Sequence, residues 1–302
     1  MASERDEYDV FLDNWEPSEM LRHATLESNL QDPLAQARLV DDSSGAAELT
    51  RTAFAPGLKG MSDAERRLRK FTFFETRHDE WSSHFNDYVI SAGVDEKKLE
   101  QFIHCFANIW VDGKSRRQGS PEMMAIKASI RDHDRHFYTT HADQFVLTPV
   151  ANEIAPLFEI AEMEVIFRAN ERLLESFMAD YLRELEGAYG GSVNFVTVRR
   201  GAMMPTAPGP LRKELHYLSS YSMALEPVEQ FAQTWTPATK DSGVPCIFSA
   251  PLPALQQRVV AFAPFIEGMD LGQLELVVAP PVEPVSLAHN GRFGGIHDYR
   301  FE

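Results

Sequence analysis

Cysteine is nearly absent: the 302 residues hold two, Cys105 and Cys246. Each sits in an apolar run, Phe102-Ile103-His104-Cys105-Phe106 and Pro245-Cys246-Ile247-Phe248. That excludes a disulfide scaffold and predicts buried, reduced thiols. Basic residues are also scarce, 29 Lys and Arg against 45 Asp and Glu, for a formal net charge of −16. Whole-molecule attraction to nucleic acid or an anionic membrane is therefore disfavoured, although a local basic groove remains open. No run approaches the roughly 20 apolar residues of a membrane span, and the first residues, Met1-Ala2-Ser3-Glu4-Arg5-Asp6-Glu7, do not form a secretory leader. The expectation is a cytoplasmic protein with no membrane partner, or one delivered by a route that needs no signal peptide. What is abundant is ordinary for a folded chain: 44% hydrophobic, 11% aromatic and 25% charged residues.

Three regions follow from composition and period. Residues 1–60 form an acidic, loosely structured arm; the first fifty hold twelve Asp or Glu against three Arg, a pattern that fits a solvated leader or a tail for a protein partner. Residues 61–190 read as helices. Ser62-Asp63-Ala64-Glu65 has the form of a capping box and opens a helix to about Ser91. Asp95 caps a second, in which Leu99, Phe102, Ile103, Phe106 and Trp110 recur at three- and four-residue spacing as one buried stripe. Ser120-Pro121-Glu122 starts a third, and a long fourth follows Pro156 and stops near Gly187. Residues 191–302 switch to a two-residue period. Strand candidates are the segment around Phe195–Val198, His216–Ser222, Pro245–Ala250, Arg258–Phe265, Leu274–Ala279 and Tyr299–Phe301. Helices followed by strands, without βαβ alternation, predict an α+β fold: a helical N-terminal region and then a mixed β-sheet domain.

The densest polar cluster is Asp132-His133-Asp134-Arg135-His136, with His141 nearby. Imidazole and carboxylate at such spacing suit zinc or iron, so a metal-dependent helical enzyme using His133, His136 and His141 is one reading. The spacing is unspecific, however, and Arg131 and Arg135 oppose a cation, so a polar helix end is the better account of the cluster and no metal site is assigned. Nucleophile-elbow, P-loop and GxGxxG motifs are absent, which leaves hydrolase, kinase and Rossmann readings without support.

Three segments of the last third carry more information together than singly. Phe195-Val196-Thr197-Val198-Arg199-Arg200-Gly201 is a strand ending in Arg-Gly; His216-Tyr217-Leu218-Ser219-Ser220-Tyr221-Ser222 is rich in hydroxyls; Gly272-Gln273-Leu274-Glu275-Leu276-Val277-Val278 contains Gln-x-Glu. Gln273 and Glu275 project from the same strand face, because side chains alternate. In this order the segments resemble the arginine–serine–glutamate class of mono-ADP-ribosyltransferases over residues 191–302.

The resemblance implies an ADP-ribosyltransferase-like domain that uses NAD as substrate. It implies Glu275 as the catalytic glutamate, Gln273 as the acceptor-selecting residue and Ser219 as the serine that steadies glutamate or ribose. Arg200 would hold the NAD phosphates, with Gly201, Ser219, Ser220 and Tyr217 completing the pocket. Arg199 stands where the family has an aromatic, and it should project to the opposite strand face from Arg200. Tyr221 stands where the family has a second serine, unless the motif is shifted so that Ser220 and Ser222 take the serine roles. The implied reaction moves ADP-ribose to a macromolecular acceptor, or to water, with release of nicotinamide, as a bacterial or phage effector or toxin would. Gln273 in place of a Glu goes, in that family, with acceptors other than arginine. The alternative from a different class is a non-enzymatic interaction, immunity or adaptor protein with no NAD site, whose strand motifs would have no reason to meet.

Overall fold

The computed structural model describes residues 63–110, 120–133, 153–189, 196–204, 219–223, 228, 231–233, 243–271, 273–279, 281, 285–293 and 296–301. The acidic arm over 1–60 lies outside them. Among the described residues, four α-helices precede seven strands: α1 Asp63–Ser91, α2 Glu96–His104, α3 Pro121–His133 and α4 Ile160–Tyr189, then β1 Thr197–Met204, β2 Ser219–Ser222, β3 Val244–Pro251, β4 Val259–Phe262, β5 Glu275–Val278, β6 Leu287–Phe293 and β7 Ile296–Phe301. The strands form one sheet in the order β4-β5-β2-β1-β3-β7-β6. The β3–β7 pair is parallel and the others are antiparallel, so the sheet is mixed and the fold is α+β, as the sequence predicts.

Helix starts obey local chemistry. The Asp95 carboxylate accepts from the amides of Lys97 and Lys98 at 3.0 and 3.2 Å, which caps α2. The Met123 amide donates to the Ser120 hydroxyl at 3.3 Å, while Pro121 occupies the first turn, where no amide partner is missed. Helix α2 does not end at His104. It loosens into a π-helical turn over Cys105–Trp110. Helix α4 runs through Gly187 to Tyr189, because one glycine costs only about 1 kcal/mol in a long helix that is otherwise well packed.

Aromatic packing binds the helices to the β4 edge. Phe177 of α4 meets Trp81 of α1 at 5.5 Å and Phe262 of β4 at 5.1 Å; Phe262 meets Phe265 at 4.9 Å, and Trp81 reaches the same Phe265. Each such buried ring contributes about 1.5–3 kcal/mol of transfer free energy. A bulge between Val259 and Ala261 interrupts the pairing of β4 with β5, and the Val260 carbonyl accepts instead from Asn170 of α4 at 2.9 Å. That bond satisfies a backbone group on an edge strand and fixes α4 against it.

Strand β6 is absent from the sequence reading. It contains Asn290-Gly291, which reads as a turn, but the structure uses that dipeptide at an irregularity between His289 and Gly291 in the β6–β7 hairpin. The two cysteines are buried and not joined by a disulfide, and burial pushes the Cys105 thiol up to about 12 with Glu122 adding to the shift. Among the described residues, no helix is long and apolar enough to cross a membrane.

Candidate active site

At the middle of the sheet three strands bring the sequence motifs together. Arg199 of β1 is paired with Ser222 of β2, and Ser222 is paired with Glu275 of β5. Directly opposed residues in an antiparallel sheet project to the same side with their Cβ atoms about 4.5–5.5 Å apart. Arg199, Ser222 and Glu275 thus form one cross-strand row. On the far side of β1 the row continues, because Arg199 is also paired with Ser249 of β3, whose hydroxyl donates to the Asp298 carboxylate of β7 at 3.0 Å.

Glu275 is 7% exposed, and its Oε1 accepts from the Ser220 hydroxyl and from the Trp110 indole Nε1–H at 2.8 Å. Burial pushes the carboxyl above the usual carboxylate range. The Ser220 and Trp110 hydrogen bonds and the Arg200 charge pull it back, while Asp270 adds to the upward push. The two donors and the nearby guanidinium charge offset part of the cost of burying the ionised carboxylate, and the net shift stays upward.

The two arginines divide the strand as alternation requires, but in the reverse of the expected sense. Arg199 shares the row with Glu275, and it is buried. Arg200, one residue on, starts from the other face and directs Nη1 to the Ser220 carbonyl at 3.5 Å. It remains near enough for its charge to act on Glu275. A one-residue difference in register exchanges the faces of a strand, and no signal within β1 itself fixes that register.

The serines follow the shifted reading of the second motif. Ser220 donates to Glu275, and Ser222 donates to the Gln273 carbonyl. Ser219 is paired with Val278, alternates away from this face and is buried. Tyr217 lies outside the described residues.

Gln273 departs from the alternation expected of it. Strand β5 begins at Glu275, and the preceding Leu274 has φ of 44°, a left-handed conformation unusual for a branched apolar residue. Leu274 is fully buried, its amide bonds to the Leu271 carbonyl at 3.2 Å, and its carbonyl accepts from the Met223 amide at 3.2 Å. The surrounding contacts hold this strained residue in place, and the kink breaks the period-two relation between Gln273 and Glu275. Gln273 is half-buried in the turn before the strand.

Gly201 has a packing reason to be glycine. A Cβ there would lie 1.8 Å from the Val228 carbonyl oxygen and 2.7 Å from the Ala232 amide, so the segment after β2 passes directly over the β1 backbone. Of the histidine cluster, His133 Nε2 meets Glu164 Oε2 at 2.9 Å, and His136 and His141 lie outside the described residues. No group of three metal-ligating side chains occurs among the described residues.

Trp110 is the site residue that sequence reasoning placed elsewhere, as part of a core stripe. It is core by burial and polar by its one N–H, and only the tertiary structure reveals what that N–H meets.

No family model and no curated protein matches the chain. Solved structures that match include ADP-ribosyltransferase Vis in complex with the M6 inhibitor, at 13% identity and a TM-score of 0.39 over 82% of this chain and 88% of that one. Vis toxin, an ADP-ribosyltransferase from Vibrio splendidus, matches at 12% identity and a TM-score of 0.39, over 82% of this chain and 89% of that one.

Proposed function

We propose that this protein cleaves NAD at the nicotinamide–ribose bond and transfers ADP-ribose to a macromolecular acceptor, with Glu275 as the catalytic carboxylate. The observation that carries the reading is the buried Glu275 carboxylate, held by Ser220 and set in one row with Ser222 and Arg199. An adaptor has no need to bury an acidic side chain among donors at the meeting point of three separate sequence motifs.

Breaking the bond builds positive charge on the ribose and expels neutral nicotinamide, as in glycoside cleavage. A carboxylate fixed before the reaction stabilises that charge more than it stabilises the ground state, which lowers the barrier. Burial among few competing water molecules strengthens the effect. The NAD pyrophosphate is dianionic and requires a guanidinium. The Arg-Gly motif points to Arg200, whereas the register favours Arg199, which shares the Glu275 side of the sheet. Ser220 steadies the carboxylate. Ser219 and Gly201 then support the strands from within, and NAD is the substrate with no metal required.

Gln273 has one amide donor and one carbonyl acceptor and cannot ionise, so it complements a neutral amide or a nucleobase edge better than a guanidinium. The acceptor is accordingly not arginine. Incubating the protein with labelled NAD and cell lysate, followed by mass spectrometry of the modified group, tests both statements. Label on an amide or a base is the expected result; label confined to arginine overturns the acceptor assignment, and absence of both label and nicotinamide overturns the transferase.

A further inference from the structure

The donor that reaches Glu275 from outside the sheet is Trp110, 165 residues away in the chain. Trp110 closes the π-helical turn after α2 and is 3% exposed, with its ring against Phe106 at 5.8 Å. An indole N–H only donates and never ionises, so its orientation toward an acceptor does not vary with pH. It meets Oε1, the same oxygen that Ser220 engages, and among the described residues no hydrogen bond to Oε2 is present. The carboxylate is thereby divided: Oε1 is anchored by two donors from two different layers, and Oε2 by none among the described residues.

We propose that Trp110 is a positioning residue of the reaction, its indole N–H fixing Oε1 of Glu275 so that the helical region forms part of the cleavage machinery. This rests on the NAD-cleaving function proposed for Glu275. A carboxylate held only by Ser220 could swing about that one bond. A second donor from a rigid aromatic layer removes the rotation, and preorganisation of this kind is what electrostatic catalysis requires. Trp110 also favours the charged carboxylate, since a donor stabilises the ionised form over the protonated one. The other charged groups around the pair are Arg200, Arg199 and Asp270 on the Glu275 side and the Lys127 ammonium 6.0 Å from the Trp110 ring.

Trp110→Phe keeps an aromatic ring and deletes the N–H. The expected result is a fall in kcat of about 10- to 100-fold, the usual range for one hydrogen bond to a charged group, with KM for NAD nearly unchanged. The acid limb of the rate–pH profile moves to higher pH, because the carboxylate has lost a donor. Wild-type kcat with an unmoved acid limb overturns the proposal. A second measurement needs neither that variant nor activity. In the intact protein the Trp110 indole N–H resonance is followed by NMR against pH, beside Glu275→Gln. A resonance that titrates in the wild type and is pH-independent in Glu275→Gln supports the contact, and one indifferent to the Glu275 change overturns it. If wild-type protein releases no nicotinamide, the proposed function fails by itself, and the resonance still decides whether Trp110 senses Glu275.

Discussion

The two faces of the central strands are built to opposite rules. Among the described residues, seven strand side chains that are polar are also buried, and six of them, Thr197, Arg199, Ser222, Ser249, Glu275 and Asp298, fall on one face by register and alternation. The other face carries Val198, Tyr221, Phe248, Leu276 and Tyr299, all buried, with Ser219 as its buried polar exception. Hydrophobic burial is worth about 25 cal/mol per Å², whereas burying a polar group costs free energy unless each donor and acceptor finds a partner. One face therefore stabilises the fold, and the other spends part of that stability to hold charge in a fixed place. Such a division is expected at a catalytic centre, where strain and buried charge persist because the rest of the molecule determines them.

Neighbours on a single strand provide the strongest test of this contrast. Phe248 is buried and stacks on Tyr299 at 5.8 Å, while Ser249, the next residue, faces the other way and bonds to Asp298. Phe248→Ala should cost about 3–5 kcal/mol in chemical denaturation, from lost transfer free energy and the cavity left behind. Ser249→Ala should cost less, about 1–3 kcal/mol, because it takes one donor from the buried Asp298 carboxylate. Equal losses for the two variants would erase the distinction between the faces.

A smaller effect separates the two arginines. Arg199→Lys and Arg200→Lys both keep a positive charge and lose the planar fork that grips a pyrophosphate. Since Arg199 shares the row with Glu275, its replacement should weaken NAD binding by about tenfold, and that of Arg200 by less. Calorimetric titration with NAD reads both. A greater loss at Arg200 would return the phosphate-binding role to the residue beside Gly201 and would mean that its side chain crosses to the polar face when NAD binds.

Much of this architecture was legible beforehand, for physical reasons that differ by element. The Asp95 and Ser120 caps are local chemistry, so α2 and α3 begin where the sequence indicates. Strands β1, β3 and β5 are rich in β-branched and apolar residues, and β5 runs where Gln-x-Glu led one to expect it. The site was harder to read because it depends on register. Ser219 and Ser220 are indistinguishable by type, and only the pairing of Ser220 with Val277 and of Ser222 with Glu275 selects the second as the donor. The alternation expected of Gln273 fails at Leu274, whose left-handed backbone carries no sequence signal in a buried leucine. Trp110 is the extreme case, a contact of long sequence separation hidden inside an ordinary hydrophobic stripe.

The central claim is that the buried carboxylate of Glu275 cleaves NAD, and nicotinamide release by wild-type protein and by Glu275→Gln tests it most directly. Glutamine keeps the shape of the side chain and an oxygen for Ser220 and Trp110, but it cannot carry the charge that meets the ribose cation. Because burial raises the Glu275 carboxyl, the ionised form costs stability at neutral pH, a cost that disappears as the pH falls through the raised value and the group takes up its proton. The variant should therefore fold at least as stably as wild type while releasing nicotinamide about 10²–10³ times more slowly. Release at the wild-type rate by a folded Glu275→Gln protein would contradict the account.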